Sequence, residues 1–229
     1  MFLAHYAVAL AVKKVAPRTS LGTTIFASQF LDLLWPVLLL VGLERVRIQP
    51  GLTAVSPLDF VSYPITHSLL AVVGWALLIG VGYHAVRRYP VGGWAVGGLV
   101  LSHWWLDVPV HRPDLPLWPG SDIMVGGGLW DSIPITLSME FGLLAVGAWV
   151  YLRTTRARDR VGSWGLWAGI AALSLVYLSF YVAPPGSERG VALGALTLWA
   201  FVPWGWWVDR HREVVPGQVE RGRVEQAVR

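Results

Sequence analysis

Six ionisable side chains stand inside otherwise apolar stretches of this chain: His5, Asp32, His67, His103, Asp107 and Glu140. Imidazole nitrogens with carboxylate oxygens form a donor set that suits a divalent metal: zinc first, with manganese or iron as alternatives. His103 and Asp107 are four residues apart, so a helix through them presents both on one face. His111 follows on a similar bearing and completes a His-xxx-Asp-xxx-His pattern, with Pro109 between them loosening the helix. His67 sits in Thr66-His67-Ser68, and Asp32 follows Gln29 in the first long apolar stretch. A metal held by His5, Asp32, His67, His103, Asp107 and His111 would polarise a bond and lower the pKa of a water. Asp32 or Glu140 is then the carboxylate expected to act as general base.

These residues have to be positioned by helices in a bilayer. The 229 residues are 55% hydrophobic and only 14% charged, well below the charged fraction of a soluble domain. A helix needs roughly 20 apolar residues to cross a membrane. Six stretches qualify: Ser20–Leu43, Leu58–Ala85, Gly92–Val110, Asp131–Leu152, Ser163–Val182 and Gly190–Val208. The expected fold is all-α: a polytopic transmembrane bundle of about six spans over residues 1–208, plus a short N-terminal apolar helix. Residues 1–12 are too short to span and suit a half-membrane or interfacial helix, or a thin tilted seventh span. Lys13 and Lys14 follow this apolar run, the wrong order for a cleaved signal. Residues 209–229 alternate Arg and Glu and read as a disordered cytosolic tail.

Charge sets the expected orientation. Fourteen of the 18 Lys and Arg residues fall on one side of the six-span arrangement, the side of Lys13, Arg87, Arg153 and Arg210. The positive-inside rule makes that side, and both ends of the six-span core, cytoplasmic. The net charge of +4 therefore reflects topology, and the bilayer, with no nucleic acid, is the expected partner. The absence of cysteine excludes disulfides and thiolate metal sites. The 14 Trp residues read mostly as interfacial anchors. Gly93/Gly97, Gly165/Gly169 and Gly190/Gly194 have the spacing that lets helix backbones approach closely.

The acidic residues pose an energetic question. Asp32, Asp107 and Glu140 near mid-bilayer would together cost on the order of 7–10 kcal/mol if left alone. No Lys or Arg lies inside any of the six stretches to offset that. Protonation, a water-filled cavity or a bound cation remain. Other polar residues have ordinary readings. Gln29 suits a hydrogen-bond or helix–helix contact, His84 a structural role, His211 plain solvation and Asp131 a helix cap. Asp114 and Asp122 read as solvated loop residues, with Asp114 also placed to line the mouth of a site.

His5, Asp32, Thr66-His67-Ser68 and Ser102-His103…Asp107 together resemble the bacterial membrane-bound metal-dependent hydrolase-like family, which includes LexA-binding inner-membrane-associated hydrolases. The resemblance covers roughly residues 1–140. It implies a multi-pass protein of the bacterial inner membrane with a metal-dependent hydrolytic site. A more distant likeness is to zinc-dependent phospholipase C and related nucleases, in which His111 and Glu140 would continue the pattern. Thr136 stands four before Glu140 where that pattern has His, and the chain opens Met-Phe where it has Trp. The likeness therefore implies one or two metals, not three, and a lipid-like or amphiphilic ester or phosphoester as substrate. Two other functions fit the same buried Asp and His residues: a proton- or metal-ion-coupled transporter, and a non-catalytic membrane scaffold.

Overall fold

The computed structural model describes residues 1–215. It is a helical bundle with eight α-helices among the described residues. The first is short: α1, Leu3–Ala11, continues as a 3₁₀ turn over Val12–Lys14. Five segments are long and apolar enough to cross a membrane. They are α2 (Leu21–Leu40), α3 (Leu69–Arg87), α5 (Ile133–Thr154), α6 (Arg160–Val182) and the run Glu188–Arg210. That last run is α7 (Glu188–Leu196), a 3₁₀ turn at Thr197–Ala200 and α8 (Phe201–Arg210). The expected third span is the helix α4, Pro90–Asp107, which is not among the five. His103 and Asp107 lower the hydropathy of its final turns.

The second expected span also starts later than the sequence suggests. Residues 58–62 form a strand, β2 (Leu58–Ser62), paired antiparallel with β1 (Arg45–Ile48). Pro64 then disfavours helical geometry around it. Ser68 caps α3 by accepting the Ala71 N–H, so the helix begins at Leu69. His67 thus lies in the loop just ahead of the helix, not inside it. Two more ribbons escaped the sequence reading. β3 (Leu115–Pro116) pairs with β4 (Met124–Val125), and β5 (Thr155–Ala157) with β6 (Arg212–Val214). The β5–β6 pair means that residues 209–215 belong to the folded body. Arg212 is buried there and donates to the Thr155 and Gly162 carbonyls. The rest of the expected tail, 216–229, lies outside the described residues.

The segment 1–12 forms a short helix packed inside the bundle. Leu3, Ala4, His5, Tyr6, Ala9 and Leu10 are all buried, and α1 packs on α5, α2 and α4. Nine residues rise only about 13 Å. One end of α1 meets the ionisable cluster. Beyond its other end, Lys13 pairs with Asp209 at 2.9 Å. Close approach to α5 depends on Gly147, where a Cβ would stand 2.3 Å from the Ala7 carbonyl oxygen. Gly147→Val is therefore expected to push α1 out of its seat at a cost of roughly 1–3 kcal/mol. Thermal unfolding in detergent checks this, with Gly142→Val, whose Cβ meets open space, showing no comparable loss.

α3 and α4 form a tight antiparallel hairpin. A Cβ on Gly80 or Gly97 would come within 2.9 Å of a carbonyl on the opposite helix. The small residues let the backbones touch, as expected for helices packed in lipid. The hairpin fixes His103 and Asp107 relative to the loop that carries His67.

Candidate metal centre

Three helices and one loop bring the predicted residues together. His103 and Asp107 come from the last turns of α4, where they are 0% and 2% exposed. Asp32 comes from α2, His67 from the loop before α3, and His5 from α1. His67 Nε2 lies 3.6 Å from Asp32 Oδ1 and 3.9 Å from Asp107 Oδ2. His103 Nε2 lies 3.6 Å from Asp32 Oδ1 and 3.3 Å from Asp107 Oδ2. Direct hydrogen bonds between such atoms run about 2.7–3.2 Å. Ligand atoms about 2.1 Å from a tetrahedral ion stand about 3.4 Å apart. The observed separations match the edges of a coordination polyhedron better than they match hydrogen bonds.

Tautomers point the same way. His103 Nδ1 is 2.7 Å from the Ser28 carbonyl oxygen, which only accepts, so Nδ1 carries the proton. Its Nε2 thereby faces Asp32 and Asp107, at 3.6 and 3.3 Å. Ser28 and Asp32 are one turn apart on α2. One residue therefore orients the imidazole through its backbone while the other faces its free nitrogen.

His67 is oriented by a residue the sequence reading passed over. Glu44, 1% exposed, accepts the Ile65 and Thr66 N–H groups at 2.8 Å and the Thr66 hydroxyl at 2.7 Å. With its proton given to Glu44, Thr66 Oγ1 accepts from His67 Nδ1 at 2.7 Å. His67 Nε2 is again the nitrogen that faces the centre. Metal-binding histidines are held in this way, with the far ring nitrogen donating outward. Glu44 follows the first span in what reads as an ordinary joint, so only the folded loop reveals it.

His5 stacks on His103 with ring centroids 3.7 Å apart and 5° between planes. Its Nε2 is 3.2 Å from Asp107 Oδ1, and its Nδ1 has no partner. The Met1 amino group also contacts Asp107 Oδ1. Two overlapping triads result: Asp32, His67, His103 and His5, His103, Asp107. They share His103, whose single free nitrogen can serve one ion at a time.

The remaining predicted residues sit differently. His111 is buried and lines the adjoining cavity, but belongs to neither triad. Its Nδ1 bonds Asp114 Oδ1 at 3.0 Å, and its ring lies beside Trp130. Burial pushes the His111 pKa down, which keeps the ring neutral near pH 7. Asp114 holds His111 and also accepts from the Tyr63 hydroxyl at 3.1 Å and Arg112 Nε at 3.2 Å. Glu140 accepts the Phe2 and Ala4 N–H groups at 2.7 and 2.9 Å. Its carboxylate thus holds the N-terminal turn of α1, with the charge favourably placed at a helix start. Asp32 is the more available base, its side chain 23% exposed toward the cavity. Gln29 is fully buried and neither end of its amide has a partner. Asp131 does not cap α5, which starts after Ser132, and His211 pairs with Asp159 at 2.7 Å.

A cavity of about 170 Å³ opens beside the cluster. Asp32, His67, Asp107, His111 and Glu140 are among the residues that line it. No family model, curated protein or solved structure matches the chain.

Proposed function

We propose that this protein is a membrane-embedded, metal-dependent hydrolase acting on a lipid-like or amphiphilic ester or phosphoester. The observation that carries the reading is the common orientation of His67 and His103. Each donates outward from Nδ1 and turns its Nε2 toward Asp32 and Asp107. Asp32, His67 and His103 would hold the ion, with Asp107 beside them and His5 behind. Zinc suits this nitrogen-and-oxygen set best, with manganese or iron next. The ion would supply Lewis acidity and a water of lowered pKa. Asp32, the most open carboxylate, has Oδ1 toward the two histidines, and its other oxygen would take the proton of the attacking water. Glu140 and His5 keep the α1 wall in place.

The same reading places the chain in a bacterial inner membrane with about six crossings, α4 serving as the short one. Its C-terminus is then cytoplasmic, because the basic helix ends lie opposite the cluster. Kinship with the membrane-bound metal-dependent hydrolase-like family is part of this proposal. The test is turnover by zinc-loaded protein in nanodiscs against chromogenic esters and phosphodiesters. Asp32→Asn is expected to slow it by roughly 10²–10⁴-fold. Hydrolysis unchanged in Asp32→Asn, or absent with a filled site, would overturn the reading.

One observation favours a transporter as the second reading. The run Glu188–Arg210 tightens into a 3₁₀ turn at Thr197–Ala200, and Leu198 of that turn lines the cavity. Such mid-helix turns often mark hinges. Cation-driven uptake into liposomes, lost in Asp32→Asn, would replace the hydrolase reading with this one.

A further inference from the structure

The lining of the cavity beside the cluster combines two chemistries: the polar Asp32, His67 and Asp107, and the apolar Phe180, Val191, Gly194, Ala195 and Leu198. Tyr177 and Tyr181 share a hydrogen bond at 2.8 Å and also line the space. The apolar set comes from α6, α7 and the 3₁₀ turn after it; α6 and α7 follow each other in the chain yet do not pack closely together. α7 rests on α2, whereas α6 rests on α8 and α1. Apolar side chains on both helices are exposed, with the lining residue Phe180 at 40%, Val182 at 87% and Leu193 at 51%. In a membrane-spanning bundle such a face meets hydrocarbon, not water. Gly194 lies in the slot with nothing within 4 Å of where a Cβ would stand.

We propose that the α6–α7 slot is a lateral doorway that takes the hydrocarbon chain of a membrane lipid, with the lipid's anionic headgroup directed at the His/Asp cluster. The tyrosine hydroxyls then stand where the polar linkage between chain and headgroup would pass. Burial of the chain against an apolar wall with few polar groups is the usual make-up of a ligand pocket. The inference rests on the hydrolase reading for the bond that reacts; the slot itself stands on its lining.

The experiment uses the full chain, zinc-loaded, in phosphatidylcholine nanodiscs. The probe is a hexadecylphosphonate carrying a photoreactive diazirine near the chain end, which cannot be hydrolysed. Crosslinks are expected on residues 177–198, at least tenfold weaker in Gly194→Trp and unchanged in Gly142→Trp, whose added ring points into open space elsewhere. Unlabelled hexadecylphosphonate should compete, and ethylphosphonate should not. Labelling spread over the lipid-facing surface, or insensitive to Gly194→Trp, overturns the proposal. Repeating the experiment without zinc and in Asp32→Asn separates the two claims. If labelling stays in the slot and stays sensitive to Gly194→Trp but ignores both changes, the slot stands and the metal-site reading falls.

Discussion

His103→Ala is expected to abolish zinc-dependent stabilisation of the protein and to lower its hydrolytic rate by on the order of 10³-fold or more. A ligand bound only by the folded state at 1,000 times its Kd stabilises that state by about 4 kcal/mol. Loss of several kcal/mol of Lewis-acid stabilisation in the transition state gives the rate effect. His103 earns this prediction because both triads run through it. Its removal also frees the Ser28 carbonyl and the face of His5. A fall in intrinsic stability alone would therefore not suffice as a readout. The deciding quantity is the difference in unfolding temperature with and without zinc, measured in the same detergent. Wild type should show a clear rise and His103→Ala none. An equal rise in both would remove His103 from the site.

Glu44→Gln is expected to weaken metal affinity by roughly 10–100-fold without touching any residue that faces the ion. The argument is one of proton direction. Glu44 can only accept, so Thr66 must donate to it, and His67 must donate to Thr66. A glutamine with its oxygen kept on the Ile65 and Thr66 amides turns its NH₂ toward Thr66. The Thr66 hydroxyl then donates to His67 Nδ1, and the imidazole proton moves to Nε2, where it points at the centre. Thr66→Val should weaken binding similarly by removing the relay oxygen, and Thr66→Ser should preserve it. Zinc titration of the four proteins separates this from a loop that has lost its shape, because a misfolded loop would not be rescued by serine.

The sequence held much of the site and less of its frame. His103 and Asp107 share a face because four residues make about one turn, and that needs no tertiary information. Asp32, His67 and His5 stand out because each is costly in an apolar stretch unless something pairs with it. The residues that tune them do not stand out. Ser28 acts through a backbone carbonyl, and Glu44 looks like any acid after a span. Met1 reaches Asp107 only because α1 docks inside the bundle. Glu140 was marked by its depth, but its depth reflects helix capping as much as chemistry. Apolar composition misplaces a span where backbone geometry overrides it. Leu58–Ser62 is apolar enough to read as helix, yet pairing with Arg45–Ile48 makes it strand. The Gly pairs were informative in part. Gly93/Gly97 meets Gly80 and Ala76, and Gly165/Gly169 meets Trp207 and Trp204, whereas Gly194 faces open space.

The central claim is that the buried His/Asp cluster is a metal centre. Elemental analysis of protein purified in detergent without chelators tests it most directly, wild type against His103→Ala/Asp107→Ala. The account predicts one divalent ion per wild-type chain and none in the double variant. A folded wild-type protein that carries no metal and takes up none from added zinc would contradict it.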